Sequence, residues 1–131
     1  MSLMQLYYAS TPFGFSDPLL NNILARSRHN NERDGITGAL ICRGDLFLQL
    51  LEGPRSAVTA TFQRILGDDR HLDVMLIGSG YIKTRLFPKW HMRDDPARSW
   101  MWTQQQVNQG AVDAASSDEV RAVFERLASE A

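Results

Sequence analysis

Ile36-Thr37-Gly38-Ala39-Leu40-Ile41-Cys42 and Leu46-Phe47-Leu48-Gln49-Leu50-Leu51 are two apolar runs of strand length, separated by Arg43-Gly44-Asp45. A short glycine-containing connection between two such runs predicts a β-hairpin. Toward the N-terminus, Met4 to Ser10 reads as another strand. Its side chains alternate faces, so Met4, Leu6 and Tyr8 share one side and Tyr8 faces inward. Between this strand and the hairpin, Asp17-Pro18 supplies a helix-capping acid followed by a proline at the first helical position. Leu19, Leu20, Ile23 and Leu24 then repeat at helical spacing, a polar run follows from Arg26 to Asp34, and Gly35 closes the helix. Beyond the hairpin, Pro54 opens a second helix with Ala57, Val58, Phe62, Ile65 and Leu66 as its buried stripe and Gly67 at its end. Val74 to Ile77 predicts a fourth strand. Leu86 to Arg93 alternates again, with Trp90 and Met92 on one face, and Pro88 makes this an edge strand or one that begins late.

The order β-α-β-β-α-β-β predicts an α+β fold: a ferredoxin-like mixed five-stranded sheet with two helices on one face, because right-handed crossovers put them there. From Asp94 onward the composition changes. Trp100 and Trp102 stand among polar residues, and Ser116 with Glu119 forms a capping box ahead of Val120, Val123, Phe124 and Leu127. The expectation is one domain over 1–93 and an extension of short C-terminal helices over 94–131, in which the tryptophans cover the open sheet face or meet another protein.

A chain of 131 residues buries enough surface for one domain. Its formal net charge of −1 provides no basic field for nucleic acid or an anionic membrane. The single cysteine, Cys42, excludes an internal disulfide and suits a reducing interior, so the cytoplasm is the expected compartment. No run approaches the roughly 20 apolar residues that span a bilayer. His29, His71 and His91 lack the paired spacing of a zinc site, so no metal is expected. Neither a Gly-x-Gly-x-x-Gly nor a Walker-type loop occurs, and no serine sits in a nucleophile elbow, which leaves hydrolase chemistry without visible footing, and an enzyme is not expected.

Two inward polar residues stand out. Gln49 lies in the most apolar strand, where a buried amide needs partners for its donors and acceptor. Tyr8 has the same requirement for its hydroxyl while its ring packs as core. A backbone group or another side chain would satisfy either one taken alone. Asn30-Asn31, at the end of the first helix, would ordinarily be read as a terminating cap. Arg64, Asp68, Arg70 and His71 form either a solvated cluster or a hold for phosphate or ribose.

Tyr8, Asn30-Asn31 before Gly35-Ile36-Thr37-Gly38, Phe47-Leu48-Gln49-Leu50-Leu51-Glu52-Gly53-Pro54, Asp69-Arg70-His71 and Phe87-Pro88-Lys89-Trp90-His91-Met92 together resemble a BLUF domain, a sensor of blue light using FAD. The resemblance runs from Met4 to Arg93 in order and spacing. It implies non-covalent FAD between the two helices, with FMN or riboflavin as alternatives because all three share the isoalloxazine. It further implies that Tyr8 gives an electron and a proton to the excited flavin with Gln49 as relay, and that a rearranged hydrogen-bond network persists, by rotation or tautomerisation of Gln49. Asn31 and Asn30 would bond the ring's polar edge, while Arg64, Asp68 and His71 would flank the ribityl or phosphate end. Helical phase adds Ile23 and Leu24 as apolar cover. Trp90 and Met92 would sense the change or serve simply as core. The extension resembles the short, stand-alone members, which signal to a separate protein or within a homo-oligomer. The rival expectation is a ferredoxin-like flavin-binding or protein-interaction module without photochemistry.

Overall fold

Two β-α-β units interleave to make the sheet. In the computed structural model, which describes residues 3–12, 17–43, 45–67, 71–96 and 101–130, the strands are β1 (Leu3–Pro12), β2 (Thr37–Arg43), β3 (Leu46–Pro54), β4 (His71–Ile82) and β5 (Arg93–Pro96). The helices are α1 (Asp17–Asp34), α2 (Arg55–Leu66), α3 (Gln104–Asn108), α4 (Ala111–Ala114) and α5 (Ser117–Ser129). Strand order is β4-β1-β3-β2-β5. β1 pairs antiparallel with both β3 and β4, and β2 pairs antiparallel with β3. The first crossover, through α1, therefore passes over β3, and the second, through α2, passes over β1. The short β5 adds to the outer side of β2 in parallel.

Several helix boundaries have a local cause. Gly35 follows α1 at φ +73°, a left-handed conformation that glycine adopts without steric cost. Pro54, still part of β3, is the N-cap residue of α2. Ser116 accepts from the Glu119 N–H while the Glu119 side chain returns to the Ser116 N–H, so the expected capping box starts α5. A second box, Thr103 with Gln106, starts α3.

Alternation along the strands builds two cores back to back. Leu6, Tyr8, Phe47 and Leu51 pack with Ile23 and Leu24 of α1 and Val58 of α2. Tyr7, Ala9, Leu48 and Leu50 face the other way and meet Val120, Phe124 and Leu127 of α5. Both expected helices thus lie on one face, and the C-terminal helices cover the opposite one. A fully buried leucine or phenylalanine contributes about 1.5–3 kcal/mol, so each face holds enough apolar surface to fix its helices. Among the described residues, no helix is long and apolar enough to cross a membrane.

The fold departs from expectation in three places. β4 runs well past Ile77, through Gly78 and Gly80 to Ile82. On α2, Leu66 is 54% exposed, and Thr61 is buried instead. Residues 86–92 form turns and bends, and the last strand begins only at Arg93. Trp90 and Met92 consequently do not share a strand face: Trp90 is 48% exposed and Met92 only 1%. Pro88 lacks the N–H that a ladder needs, and that is a physical reason for the late start.

Candidate functional site

Tyr8 and Gln49 lie directly opposite each other in the β1–β3 register, so their side chains leave the same face of the sheet. The Tyr8 hydroxyl donates to Gln49 Oε1. Gln49 Nε2 donates to Met92 Sδ at 3.3 Å. All three side chains are buried, at 0%, 5% and 1% exposure respectively. The Phe62 ring of α2 sits 5.4 Å from the Tyr8 ring, tilted by 51°, and holds the phenol from the helix side. A phenol, an amide and a thioether thus form one chain of contacts inside an apolar core. There a hydrogen bond is stronger than in water, and an unmade one is costly.

Asn31, at the end of α1, is buried, and its Nδ2 donates to the His91 carbonyl at 2.6 Å. Arg28, one turn earlier, sends Nε to the Met92 carbonyl at 3.1 Å. From the other side, Gly38 N–H donates to the Trp90 carbonyl at 2.9 Å. The segment carrying Met92 is therefore stitched to α1 and to β2. Ile23 and Leu24 are buried in the same cluster as Tyr8, while Asn30 is only half-buried. Trp90 does not join this cluster.

At the far end, Arg64 Nη2 reaches Thr61 Oγ1 at 3.0 Å and Asp34 Oδ2 at 3.4 Å, tying α2 to the end of α1. Asp34 also accepts from Arg33, and that bond, against a smaller opposing effect of burial, holds its carboxyl below the ordinary carboxylate range. Asp68 and the side chain of His71 lie outside the described residues, as do Arg70 and Trp100.

The matched family model, "Sensors of blue-light using FAD", covers residues 3–93. The chain belongs to the BLUF family. BLUF domains bind FAD and sense blue light, and the domain itself is a sensor module rather than a catalyst. Over 87 residues this chain is 33% identical to the photoactivated adenylate cyclase subunit beta of Euglena gracilis, a match covering 66% of this chain and 10% of the relative. It is 30% identical over 70 residues to the blue light- and temperature-regulated antirepressor BluF of Escherichia coli, covering 53% of this chain and 17% of that one. The chain thus spans about a tenth of the length of the first of these relatives. Among solved structures, the dark state of the BLUF protein BlrB superposes with a TM-score of 0.79 at 30% identity, covering 99% of this chain and 98% of that one.

Sequence reasoning missed part of what organises this BLUF domain. Glu52 is fully buried at the end of β3 and accepts from Leu86 N–H at 2.9 Å and Phe87 N–H at 2.6 Å. Arg85 donates to Thr37 Oγ1 at 2.9 Å and to the Gly35 carbonyl at 2.8 Å. These partners are backbone groups or distant residues, so no spacing in the sequence announces them. The one available signal was an acid ending an otherwise apolar strand.

Proposed function

We propose that this chain is a blue-light receptor in which Tyr8 and Gln49 carry the photochemistry, Met92 relays it, and residues 94–131 form an extension that passes it to a separate downstream protein. What supports this above all is the buried chain from Tyr8 through Gln49 to Met92. The residues between the helices suit a flat ring with one polar edge: Ile23 and Leu24 offer apolar surface, and Tyr8, Gln49 and Asn31 offer donors and acceptors. Asn31 Nδ2 carries two hydrogens and uses one on the His91 carbonyl, which leaves the other for the ring's edge. Asn30 lies beside it, and Arg64, Asp68 and His71 are assigned to the outer end of the cofactor. When bound, FAD absorbs the blue photon and supplies the oxidising excited state.

The protein's own part is proton placement and memory. The Tyr8 hydroxyl hydrogen is directed at Gln49 Oε1, so a proton leaving Tyr8 has its acceptor in position. When that proton returns, the Gln49 amide, rotated or tautomerised, presents a different atom to Tyr8 and to Met92. Because partly satisfied arrangements inside a core are costly, only the two satisfied ones are populated, and that is what a switch requires. Trp90, exposed next to this segment, is the surface marker of the change. In this reading β5 is counted as the fifth strand of the ferredoxin-like sheet, the protein works in the cytoplasm, and it forms a homo-oligomer. The sheet's edge strand β4, with Leu76 49% and Tyr81 64% exposed, offers apolar contact surface for self-association.

The test is an absorption spectrum of flavin-loaded protein in the dark, under blue light and after dark recovery. The expected result is a reversible red shift without bleaching, abolished by Tyr8→Phe and by Gln49→Leu while flavin still binds. A spectrum indifferent to light would leave a flavin-binding or protein-interaction module in its place.

A further inference from the structure

Residues 83–92 carry the chain from β4 at one edge of the sheet to β5 at the other, and in the middle of that crossing they are held by Glu52. The carboxylate is fully buried. Each oxygen takes a different backbone donor, Oε2 from Leu86 and Oε1 from Phe87, and Oε1 also accepts from Thr37 Oγ1 at 3.3 Å. The same segment then delivers Met92 to Gln49 Nε2. Directly opposite Glu52 in the β1–β3 register stands Gln5, 3% exposed, whose Nε2 has no hydrogen-bond partner among the described residues. Opposed residues of an antiparallel pair share a face, so a buried amide donor stands beside a buried carboxylate whose two oxygens both accept from other groups. Unmade buried donors are rare enough in folded proteins to call for an explanation.

We propose that Glu52 is a positioning residue for the light response: it locks residues 86 and 87 so that Met92 stays against Gln49, and Gln5 is the alternative donor that receives the carboxylate when the lock opens. This rests on the sensor reading above. The Gln49 amide sits in a close-packed cage whose wall includes Met92, and close-packed interiors do not yield without some element moving. Glu52 decides how readily that wall moves, because its two backbone bonds anchor the segment upstream of Met92. Gln5 lowers the cost of release by offering the carboxylate a bond in exchange for those it gives up.

The two residues therefore act in opposite directions on the lifetime of the lit state. Glu52→Gln replaces one acceptor oxygen by an amide that faces an N–H, which loosens the lock. Dark recovery of the flavin-loaded full chain is expected to quicken by about tenfold, a barrier lower by about 1.4 kcal/mol. Gln5→Leu removes the alternative donor and is expected to slow recovery by roughly threefold, with a melting temperature unchanged or raised because a buried unpartnered donor is gone. A merely structural role for either residue would change the melting temperature and leave the recovery rate alone. Recovery at the wild-type rate in both variants overturns the proposal. If Glu52→Gln does not fold, Gln5→Leu decides: slowed recovery supports the lock, and unchanged recovery refutes it. A wild-type chain with no light-induced shift at all would instead remove the sensor reading on which the lock depends.

Discussion

Replacing Tyr8 by Phe and Gln49 by Leu, singly and together, measures the bond at the centre of the site independently of any light response. The Tyr8→Phe change keeps the ring, and with it the 5.4 Å packing against Phe62, and deletes only the hydroxyl. Gln49→Leu keeps the volume and deletes both the acceptor for Tyr8 and the donor to Met92. A net intramolecular hydrogen bond is worth about 0.5–1.5 kcal/mol, and coupled neighbours in one network show interaction energies of about 0.5–3 kcal/mol. With Tyr8 0% and Gln49 5% exposed, water cannot substitute for the missing partner, so the upper part of those ranges applies. Each single variant should lose about 1–2 kcal/mol, and the double variant should lose less than their sum by about the same amount. The assay is urea unfolding of flavin-free protein, with a common slope confirming that the four proteins expose equal surface. The cycle isolates this pair whatever else Tyr8 touches. Losses that add to within about 0.5 kcal/mol would mean that the two side chains are not coupled, and the geometry argued above would be wrong.

Two further outcomes follow from the strands and from the end of α1. A Cβ on Gly78 would lie 2.6 Å from both Cζ and Oη of Tyr7, so Gly78→Ala should cost about 1–3 kcal/mol in a denaturant melt. Part of that loss should return when Tyr7 is shortened to Leu, and a neutral Gly78→Ala would contradict the β1–β4 packing. The Asp34 carboxyl is depressed chiefly by its hydrogen bond to Arg33. A depressed folded-state value means a stabilising contribution that is present above the ordinary carboxylate pKa of about 3.9 and lost as pH falls through the lower folded value. Asp34→Asn should therefore flatten the acid side of the stability profile slightly and leave neutral pH nearly untouched, since the pair is exposed and screened. A large loss at neutral pH would show the pair to be better shielded than its exposure allows.

Local chemistry was legible in the sequence wherever a residue acts on its own neighbours. Gly35 after α1, the Ser116–Glu119 box and the alternation that turns Tyr8 toward α1 and α2 all concern groups within a few residues of one another. The resemblance, from Met4 to Arg93, lies within the stretch that the family model covers, residues 3–93. What escaped was set by distant partners. The alternation of Trp90 and Met92 imitates a strand, yet Gly38 takes the Trp90 carbonyl and Arg28 takes that of Met92, so the backbone is spent on anchors rather than on a ladder. Leu66 fits the apolar period of α2 but is its last residue and stays exposed. The Thr103–Gln106 box was hidden within a run of glutamines that reads only as polar.

The two cores on opposite faces of one sheet have an evolutionary corollary. Along β3, Phe47, Gln49 and Leu51 belong to the side covered by α1 and α2, whereas Leu48 and Leu50 belong to the side covered by α5. Successive residues of a single strand thus answer to separate surroundings, one set to α1 and α2 and the next to α5 on the reverse. A lineage can rewrite every second residue of the strand to suit a new output element and leave the light-absorbing half unaltered.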